Sequence, residues 1–204
     1  DATITLFNGS GANFPAHILD ARRGKVRVSI GVGIEGLAQS SLDWHVGIAV
    51  LKRDAMNTAL QKATELGATA ITPILTEFTD TPRGGVARRQ DSWAGVLASA
   101  AEQCGRAHLP MLHDACSFAA SLTTRADLRL LPQPGATAFI ASLEAAPASV
   151  FTLIGPEGGF SDEEVSAAAT AGFTGVCLGP RILRAETVPA TLGALLQSKW
   201  GDLT

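Results

Sequence analysis

The sequence predicts an α/β fold with a mainly parallel sheet covered by helices. From residue 45 onward, short apolar segments alternate with segments whose apolar residues recur every three or four positions, a pattern typical of alternating strands and helices. Two of the apolar segments, 150–154 and 174–178, are each followed by a Gly-Pro pair and then by a helix pattern. Since ligands of such sheets bind beyond the carboxyl ends of the strands, these two loops are the predicted functional end.

The first 41 residues predict a separate β region. Segments 3–7, 14–19 and 25–30 are rich in β-forming residues, and Asn-Gly-Ser-Gly at 8–11 is a turn signal. In the third segment Val26, Val28 and Ile30 alternate with polar residues and are expected to share the apolar face. About 40 residues are too few for a robust core, so this region is expected to be an incomplete barrel or to lean on its neighbour. The chain starts with Asp1 instead of Met, and we expect a fragment.

Four cations lie close together in this β region. Lys25 and Arg27 point to the polar face of the third segment, and Arg22 and Arg23 precede it in a turn. Two interpretations stay open, an ordinary solvated strand face and a patch that binds RNA phosphates.

The remaining elements follow in order along the chain. Gly67 and Gly105 are expected to end two helices, and Ser161 with Glu164 forms a capping box that starts a third. Between the first two helices, residues 79–90 form a polar loop with several arginines. Predicted strands cover 46–51, 70–75, 136–142, 150–154 and 174–178, and predicted helices cover 53–66, 93–104, 116–123 and a segment that ends at Trp200.

Composition limits the function. The chain has 204 residues, 46% hydrophobic residues and a net charge of −3, so an RNA-binding surface would have to be local. Cys104, Cys116 and Cys177 form no C-x-x-C pair and no metal-ligand pattern with the four histidines. We expect free thiols in a reducing compartment and, in the absence of a signal peptide or long apolar run, a soluble cytoplasmic protein.

The first Gly-Pro loop has the composition of a ligand-binding turn. Residues 153–164 read L-I-G-P-E-G-G-F-S-D-E-E. Glycine at 155, 158 and 159 allows the backbone N–H groups to approach a ligand closely. The pattern is neither a dinucleotide fingerprint nor a P-loop, and a simple tight βα turn is the alternative.

The second loop, residues 178–187, reads L-G-P-R-I-L-R-A-E-T. Together the two loops resemble those of the SPOUT-class methyltransferases and, more narrowly, the RsmE family of bacterial 16S ribosomal RNA uridine-N3 methyltransferases. The stretches Q-K-A-T-E-L-G at 61–67 and A-E-Q-C-G-R at 101–106 match the same family, so the resemblance runs from about residue 43 to the end.

The resemblance implies a fold and a reaction that general principles would not supply. It implies a SPOUT-type methyltransferase domain over 43–204 with a C-terminal trefoil knot, preceded by part of a PUA-like β-barrel over 1–41 that binds RNA. It further implies the cofactor S-adenosylmethionine, small-subunit ribosomal RNA as partner, a homodimer, and no requirement for a metal. The reaction would methylate N3 of a uridine, an atom on the pairing edge, so the base would have to be unpaired or splayed out.

The resemblance also implies roles for individual residues. Arg184 and Glu186 are the expected catalytic pair, Glu186 as proton acceptor and Arg184 as stabiliser of the developing anion. The alternative is that Glu186 stabilises the last helix electrostatically and Arg184 holds an RNA phosphate. Expected cofactor-binding residues are Leu153, Ile154, Gly155, Pro156, Glu157, Gly158, Leu178, Gly179, Ile182, Leu183 and Thr187, and expected RNA-binding residues are Arg22, Arg23, Arg27, Arg88 and Arg106.

The sequence departs from the family pattern beyond the second strand of this domain. Glu77-Phe78 stands where Glu-Arg is common, so a cation near the site would have to come from Arg83, Arg88 or Arg89 or be absent. Three other functions stay open: a knotted methyltransferase of another RNA such as transfer RNA, a non-catalytic RNA-binding or assembly protein, and an unrelated α/β enzyme with a phosphate-binding loop.

Overall fold

A computed structural model describes residues 2–79, 85–86, 88–144 and 146–203. Asp1 and Thr204, the outer bounds of the two predicted domains, lie outside the described residues, as does Arg83. None of the described helices combines the length and the apolar character that crossing a membrane would need.

Residues 3–35 form a four-stranded antiparallel sheet in which β2 pairs with the other three strands. The predicted turn before β2 is held by the Asn8 side chain, which accepts hydrogen bonds from the Ser10 amide at 3.1 Å and hydroxyl at 2.6 Å. The strands are β1 (Thr3–Phe7), β2 (Ala12–Arg22), β3 (Lys25–Ile30) and β4 (Ile34–Glu35).

The apolar face of β3 differs from the expectation. The alternation correctly predicted the strand, but Val26 and Ile30 are 60% and 62% exposed. Within the described part of the chain only Ala16 of this sheet is fully buried, at 0% exposure, so the sheet has almost no core of its own. It does contact the rest of the molecule, because the Gly11 amide donates to the Ala107 carbonyl at 3.0 Å.

The second sheet has eight strands, and its described pairings are parallel, which confirms the mainly parallel α/β fold. The order across it is β10-β12-β9-β11-β5-β6-β7, and β8 also pairs with β6. The strands are β5 (Asp43–Ala49), β6 (Ala70–Leu75), β7 (Met111–Leu112), β8 (Cys116–Ser117), β9 (Leu128–Pro132), β10 (Ala138–Phe139), β11 (Ser149–Ile154) and β12 (Thr174–Cys177).

Two of these strands correct the sequence-based expectation. The segment 136–142 contains only the short β10 followed by a 3-10 helix, Ile140–Ser142, where one longer strand was expected. β9 was not predicted at all, although it pairs with both β11 and β12.

Most helices begin and end close to their predicted bounds, but the helix expected over 116–123 covers only Phe118–Ser121, because Cys116–Ser117 pairs with β6 as a strand. Gly67 and Gly105 adopt positive φ values of 85° and 78°, which is the left-handed conformation that ends helices. The Ser161 capping box forms as expected, with the Glu164 carboxylate accepting from the Ser161 amide at 3.1 Å. The helices are α1 (Arg53–Glu65), α2 (Gln90–Cys104), α3 (Phe118–Ser121), α4 (Asp162–Thr170) and α5 (Val188–Trp200).

Two hydrophobic clusters hold the helices to the sheet. The larger contains Trp44 and Trp93 and packs α1, α2 and α5 against the strands. The smaller is built around Phe118, Phe151 and Phe173. Burial of these large side chains from water is the main stabilising contribution, at about 25 cal/mol per Å² of apolar surface.

Candidate active site

The carboxyl ends of five neighbouring parallel strands position the candidate site. The strands β12, β9, β11, β5 and β6 lie side by side in that order, so the segments that follow them meet at one edge of the sheet. The loops after β11 and β12 are the two Gly-Pro loops that the sequence singled out.

A cleft of about 930 Å³ lies at this edge, and both Gly-Pro loops contribute to it. A smaller cavity of about 70 Å³ shares Gln133, Leu183 and Val188 with the cleft and extends it towards the end of β12. The cleft is lined by Lys52, Asp54, Ala55, Pro132, Gln133, Pro134, Ile154, Gly155, Pro156, Glu157, Gly158, Gly159, Phe160, Val165, Ile182, Leu183, Arg184, Ala185, Glu186 and Val188.

The first Gly-Pro loop is a tight turn that needs its glycines. The Gly159 amide donates to the Pro156 carbonyl at 2.9 Å, and Gly159 has a φ of 77°. A Cβ atom on Gly155 would lie 3.2 Å from the Phe160 ring, which is closer than most real contacts. The loop therefore exposes backbone atoms to the cleft at positions where a side chain would not fit.

The second Gly-Pro loop leads into α5. Gly179 has a φ of 110°, and the Cys177 thiol donates to its carbonyl at 3.2 Å. Further on, the Thr187 amide donates to the Arg184 carbonyl at 2.9 Å and closes the turn before the helix. Pro189 is in the first turn of α5, where the lack of an N–H group costs nothing.

The predicted catalytic pair is brought together at the cleft. The nearest nitrogen of Arg184 and oxygen of Glu186 are 3.9 Å apart, and the two side chains are 87% and 22% exposed. The Glu186 carboxylate is thus mostly enclosed, while the Arg184 guanidinium extends into solvent.

Most predicted cofactor-binding residues line one of the two cavities. Leu178 and Gly179 line the smaller one, and Ile182 and Leu183 line both. Two residues are placed elsewhere: the Leu153 side chain is fully buried in the smaller hydrophobic cluster, and Thr187 is the residue before α5. The others, at the cleft, are Ile154, Gly155, Pro156, Glu157 and Gly158.

The predicted RNA-binding arginines are mostly exposed, and three of the five belong to the N-terminal sheet. Arg22 pairs with Asp20 at 3.1 Å on the surface, and Arg23 has a φ of 50° in the turn after β2. Arg27 and Arg88 are also exposed. Their RNA contacts remain a prediction.

Arg106 makes structural hydrogen bonds. Its guanidinium donates to the Thr64 carbonyl at 2.6 Å and to the Ala68 carbonyl at 3.1 Å. Burial lowers the pKa of Arg106, which the nearby Cys104 and Asp202 partly offset. The Arg106 side chain therefore links the end of α1 to the segment that follows α2. This placement does not support the predicted contact of Arg106 with RNA.

Several residues of the cleft were missed by sequence reasoning. Lys52 and Asp54 follow β5, and Pro132, Gln133 and Pro134 end or follow β9. Lys52 and Arg184 are the cations among the described residues that line the cleft. The signal for Lys52 and Asp54 was their place after a predicted strand, whereas β9 itself was not predicted.

Across the described ranges of the chain, no group of three or more His, Cys, Asp or Glu side chains is arranged to hold a metal ion.

Comparison with known proteins agrees with this arrangement. Residues 38–197 match the family model of the RNA methyltransferase domain, so the chain contains an RNA methyltransferase domain. The ribosomal RNA small subunit methyltransferase E of Buchnera aphidicola (subspecies Schizaphis graminum) is 30% identical over 98% of this chain and 83% of its own length. That of Synechocystis is 32% identical over 95% of this chain and 66% of its own length. The chain belongs to this ribosomal RNA small subunit methyltransferase E family, which confirms the resemblance in the two loops.

Solved structures show the same likeness. A structure from Neisseria gonorrhoeae, of a ribosomal RNA small subunit methyltransferase E bound to S-adenosylmethionine, is 30% identical and has a TM-score of 0.91 over 100% of this chain and 85% of that one. A methyltransferase structure from Legionella pneumophila, in complex with the bound cofactor SAM, is 34% identical and has a TM-score of 0.94 over 98% and 84%.

Proposed function

We propose that this chain transfers a methyl group from S-adenosylmethionine to N3 of a uridine in small-subunit ribosomal RNA. The proposal is supported by its family, by the cofactor named for the Neisseria and Legionella structures, and by the cleft between the two Gly-Pro loops. The observation that carries it is the position of Glu186 and Arg184, which line the same cleft as the glycine loop.

The finer structural expectations belong to the same proposal. They are a trefoil knot in the C-terminal part of a 43–204 methyltransferase domain, a 1–41 region that is part of a PUA-like RNA-binding barrel, a homodimer, and a cytoplasmic location. The exposed apolar face of β3 supports the idea of an incomplete barrel, because such a face is normally covered.

The residues present fit S-adenosylmethionine. The cleft volume of about 930 Å³ lies in the range of small-molecule sites. Its glycine backbone can approach a ligand closely, and Ile182, Leu183 and Val188 provide an apolar wall. Glu157 and Asp54 add carboxylates suited to a ligand that carries positive charge.

The proposed mechanism assigns one role to Glu186 and one to Arg184. Bound S-adenosylmethionine supplies an electrophilic methyl group on a sulfonium. The uridine N3 forms the new bond to that methyl carbon as the sulfur–carbon bond breaks, and the N3 proton passes to the Glu186 carboxylate. Arg184, 3.9 Å from Glu186, stabilises the negative charge that develops on the base. The loops contribute mainly by aligning donor and acceptor.

Calorimetric titration with S-adenosylmethionine tests the cofactor site. Wild-type protein should bind, and Gly158→Val should not, because Gly158 lines the cleft and a new Cβ there would lie 3.2 Å from the Phe78 Cβ, so that the loop would have to shift. Gly95→Val is the matched control, since Gly95 is exposed on α2 with nothing within 4 Å of a new Cβ. Equal binding by all three proteins would refute the placement of the cofactor.

Nucleoside mass spectrometry tests the reaction. Small-subunit ribosomal RNA from a strain lacking the gene should gain N3-methyluridine after incubation with the protein and S-adenosylmethionine. Methylation of transfer RNA only would favour a knotted methyltransferase that acts on transfer RNA. RNA binding that needs no cofactor and leads to no methyl transfer would favour a non-catalytic RNA-binding or assembly protein. Thermal stabilisation by a nucleotide, with none by S-adenosylmethionine, would favour a phosphate-binding enzyme.

A further inference from the structure

Phe78 lies beside the first Gly-Pro loop with almost half of its surface in solvent. It is in the turn that follows β6, and its side chain is 47% exposed. A Cβ atom on Gly158 would be 3.2 Å from the Phe78 Cβ and 3.6 Å from its Cγ, so the aromatic side chain contacts the backbone of the loop. Phe78 belongs to neither hydrophobic cluster.

The turn that carries Phe78 is held firmly against that loop. The Glu77 amide donates to one oxygen of Glu164 at 3.0 Å, and the other oxygen of the same carboxylate accepts from the Ser161 amide at 3.1 Å. Within the turn, the Thr76 amide and hydroxyl contact the Thr79 hydroxyl at 3.1 and 2.9 Å. Glu164 therefore connects the Phe78 turn to Ser161, the residue that caps α4 directly after the first Gly-Pro loop.

The aromatic residue that lines the cleft, Phe160, is engaged in packing. The Phe160 ring lies 5.3 Å from the Phe118 ring, centroid to centroid, and packs against the smaller hydrophobic cluster. Phe78, in contrast, contacts Gly158 of the cleft lining and keeps a large exposed surface. Because the turn holds this ring beside a loop of the cleft with almost half of its surface in solvent, the face of the ring is free to contact a bound molecule.

We propose that the Phe78 ring is the surface on which an RNA base stacks at the mouth of the cleft, an inference that rests on the proposed function. Enzymes that modify a base draw it out of its stack, and aromatic side chains then replace the lost stacking. A phenylalanine offers no hydrogen bond and no charge, so it holds the base by its face and leaves the pairing edge free for reaction. Phe78 therefore positions the RNA base through the uncharged face of its ring.

Substitution of the ring tests the proposal. Phe78→Leu keeps an apolar contact with Gly158 but removes the aromatic face, and Phe78→Tyr keeps the face. We expect Phe78→Leu to lower kcat/KM for small-subunit ribosomal RNA, and its affinity for the RNA, by about 5- to 100-fold, the usual effect of losing one base–aromatic stack. Phe78→Tyr should stay within about threefold of wild type on both measures, and affinity for S-adenosylmethionine should be the same in all proteins.

Phe139→Leu is the matched control, because Phe139 is 50% exposed but lies on the edge strand β10 and not in the turn beside Gly158. RNA binding is measured by fluorescence anisotropy, which does not depend on turnover. If Phe78→Leu and Phe139→Leu bind RNA equally well and methylate at equal rates, the stacking role is wrong while the proposed function stands. If wild-type protein binds neither S-adenosylmethionine nor RNA, the proposed function fails as well.

A second pair of variants tests whether the position of the ring matters. Glu164→Ala removes the hydrogen bond to the Glu77 amide, whereas Ser161→Ala removes only the other half of the capping box, in which Ser161 accepts from the Glu164 amide at 3.3 Å. At temperatures where both remain folded, Glu164→Ala should lower kcat/KM for RNA by more than Ser161→Ala, with unchanged affinity for S-adenosylmethionine. Equal values for the two variants would contradict the positioning of Phe78 by Glu164.

Discussion

Acidification should destabilise this protein through a single histidine of β5. His45 is half-buried, its ring lies 4.8 Å from the Phe151 ring and 5.3 Å from the His113 ring, and its Nε2 is 2.8 Å from the Thr72 hydroxyl. The pKa of His45 is lowered from 6.5 to about 4, mainly by burial and then by the nearby His113, while Asp43 acts in the opposite direction.

The sign and size of the effect follow from this pKa. The folded protein keeps His45 neutral, whereas the unfolded chain binds a proton at this residue below its pKa of 6.5. The contribution of His45 to the free energy of unfolding is therefore present above pH 6.5 and is lost as the pH falls towards 4. The full difference between the folded and unfolded pKa of His45 corresponds to about 3 kcal/mol in the free energy of unfolding. About 2 kcal/mol of this is lost between about pH 7 and about pH 5.

Urea denaturation at about pH 7 and about pH 5, followed by tryptophan fluorescence, measures this loss. His45→Gln places a non-titrating amide next to the Thr72 hydroxyl, and we expect its loss on acidification to be smaller than that of wild type by about 2 kcal/mol. His17→Gln, a change on the N-terminal sheet that leaves His45 in place, is the control and should keep the His45 contribution. Equal losses in wild type and His45→Gln would refute the assignment.

Three further variants test the structure and the site. Arg106→Ala should lower the free energy of unfolding by about 1.5–3 kcal/mol, because it removes charged donors to two buried carbonyls, and an unchanged urea midpoint would contradict this. Thr152→Val should cost about 1–3 kcal/mol, since the buried Trp44 indole N–H, now bonded to Thr152 at 3.1 Å, would lose its partner; the same denaturation experiment measures it. Glu186→Gln should slow single-turnover methyl transfer by about 100-fold with little effect on affinity for S-adenosylmethionine. A full rate would assign proton removal to another group.

Periodicity and local signals predicted the elements that can be recognised within one segment. The Ser161 capping box and the Gly105 helix end depend on residues that are neighbours in sequence, and both are confirmed. The parallel sheet followed from the alternation of strands and helices, and with it the meeting of the two Gly-Pro loops at one edge.

The errors concern features that depend on residues distant in sequence. β9 reads L-R-L-L-P, and its leucines and terminal proline are weak strand signals, yet it is buried between two other strands and is fixed by their pairing. The alternation of Val26 and Ile30 predicted a strand but could not say what would cover its apolar face. Likewise, nothing in the sequence around Arg106 indicated that carbonyls some 40 residues earlier would accept its hydrogen bonds.

The unpredicted strand also explains why the two Gly-Pro loops form a cleft instead of touching. β9 separates β11 from β12, so the loops leave the sheet two strand spacings apart, or about 10 Å. Gln133 and Pro134, which follow β9, line both the cleft and the smaller cavity together with residues of these loops. A gap of that width admits a molecule the size of a nucleoside while both loops remain within contact distance of it. The order of the strands, more than the composition of either loop, therefore explains why the candidate site lies at this edge of the sheet.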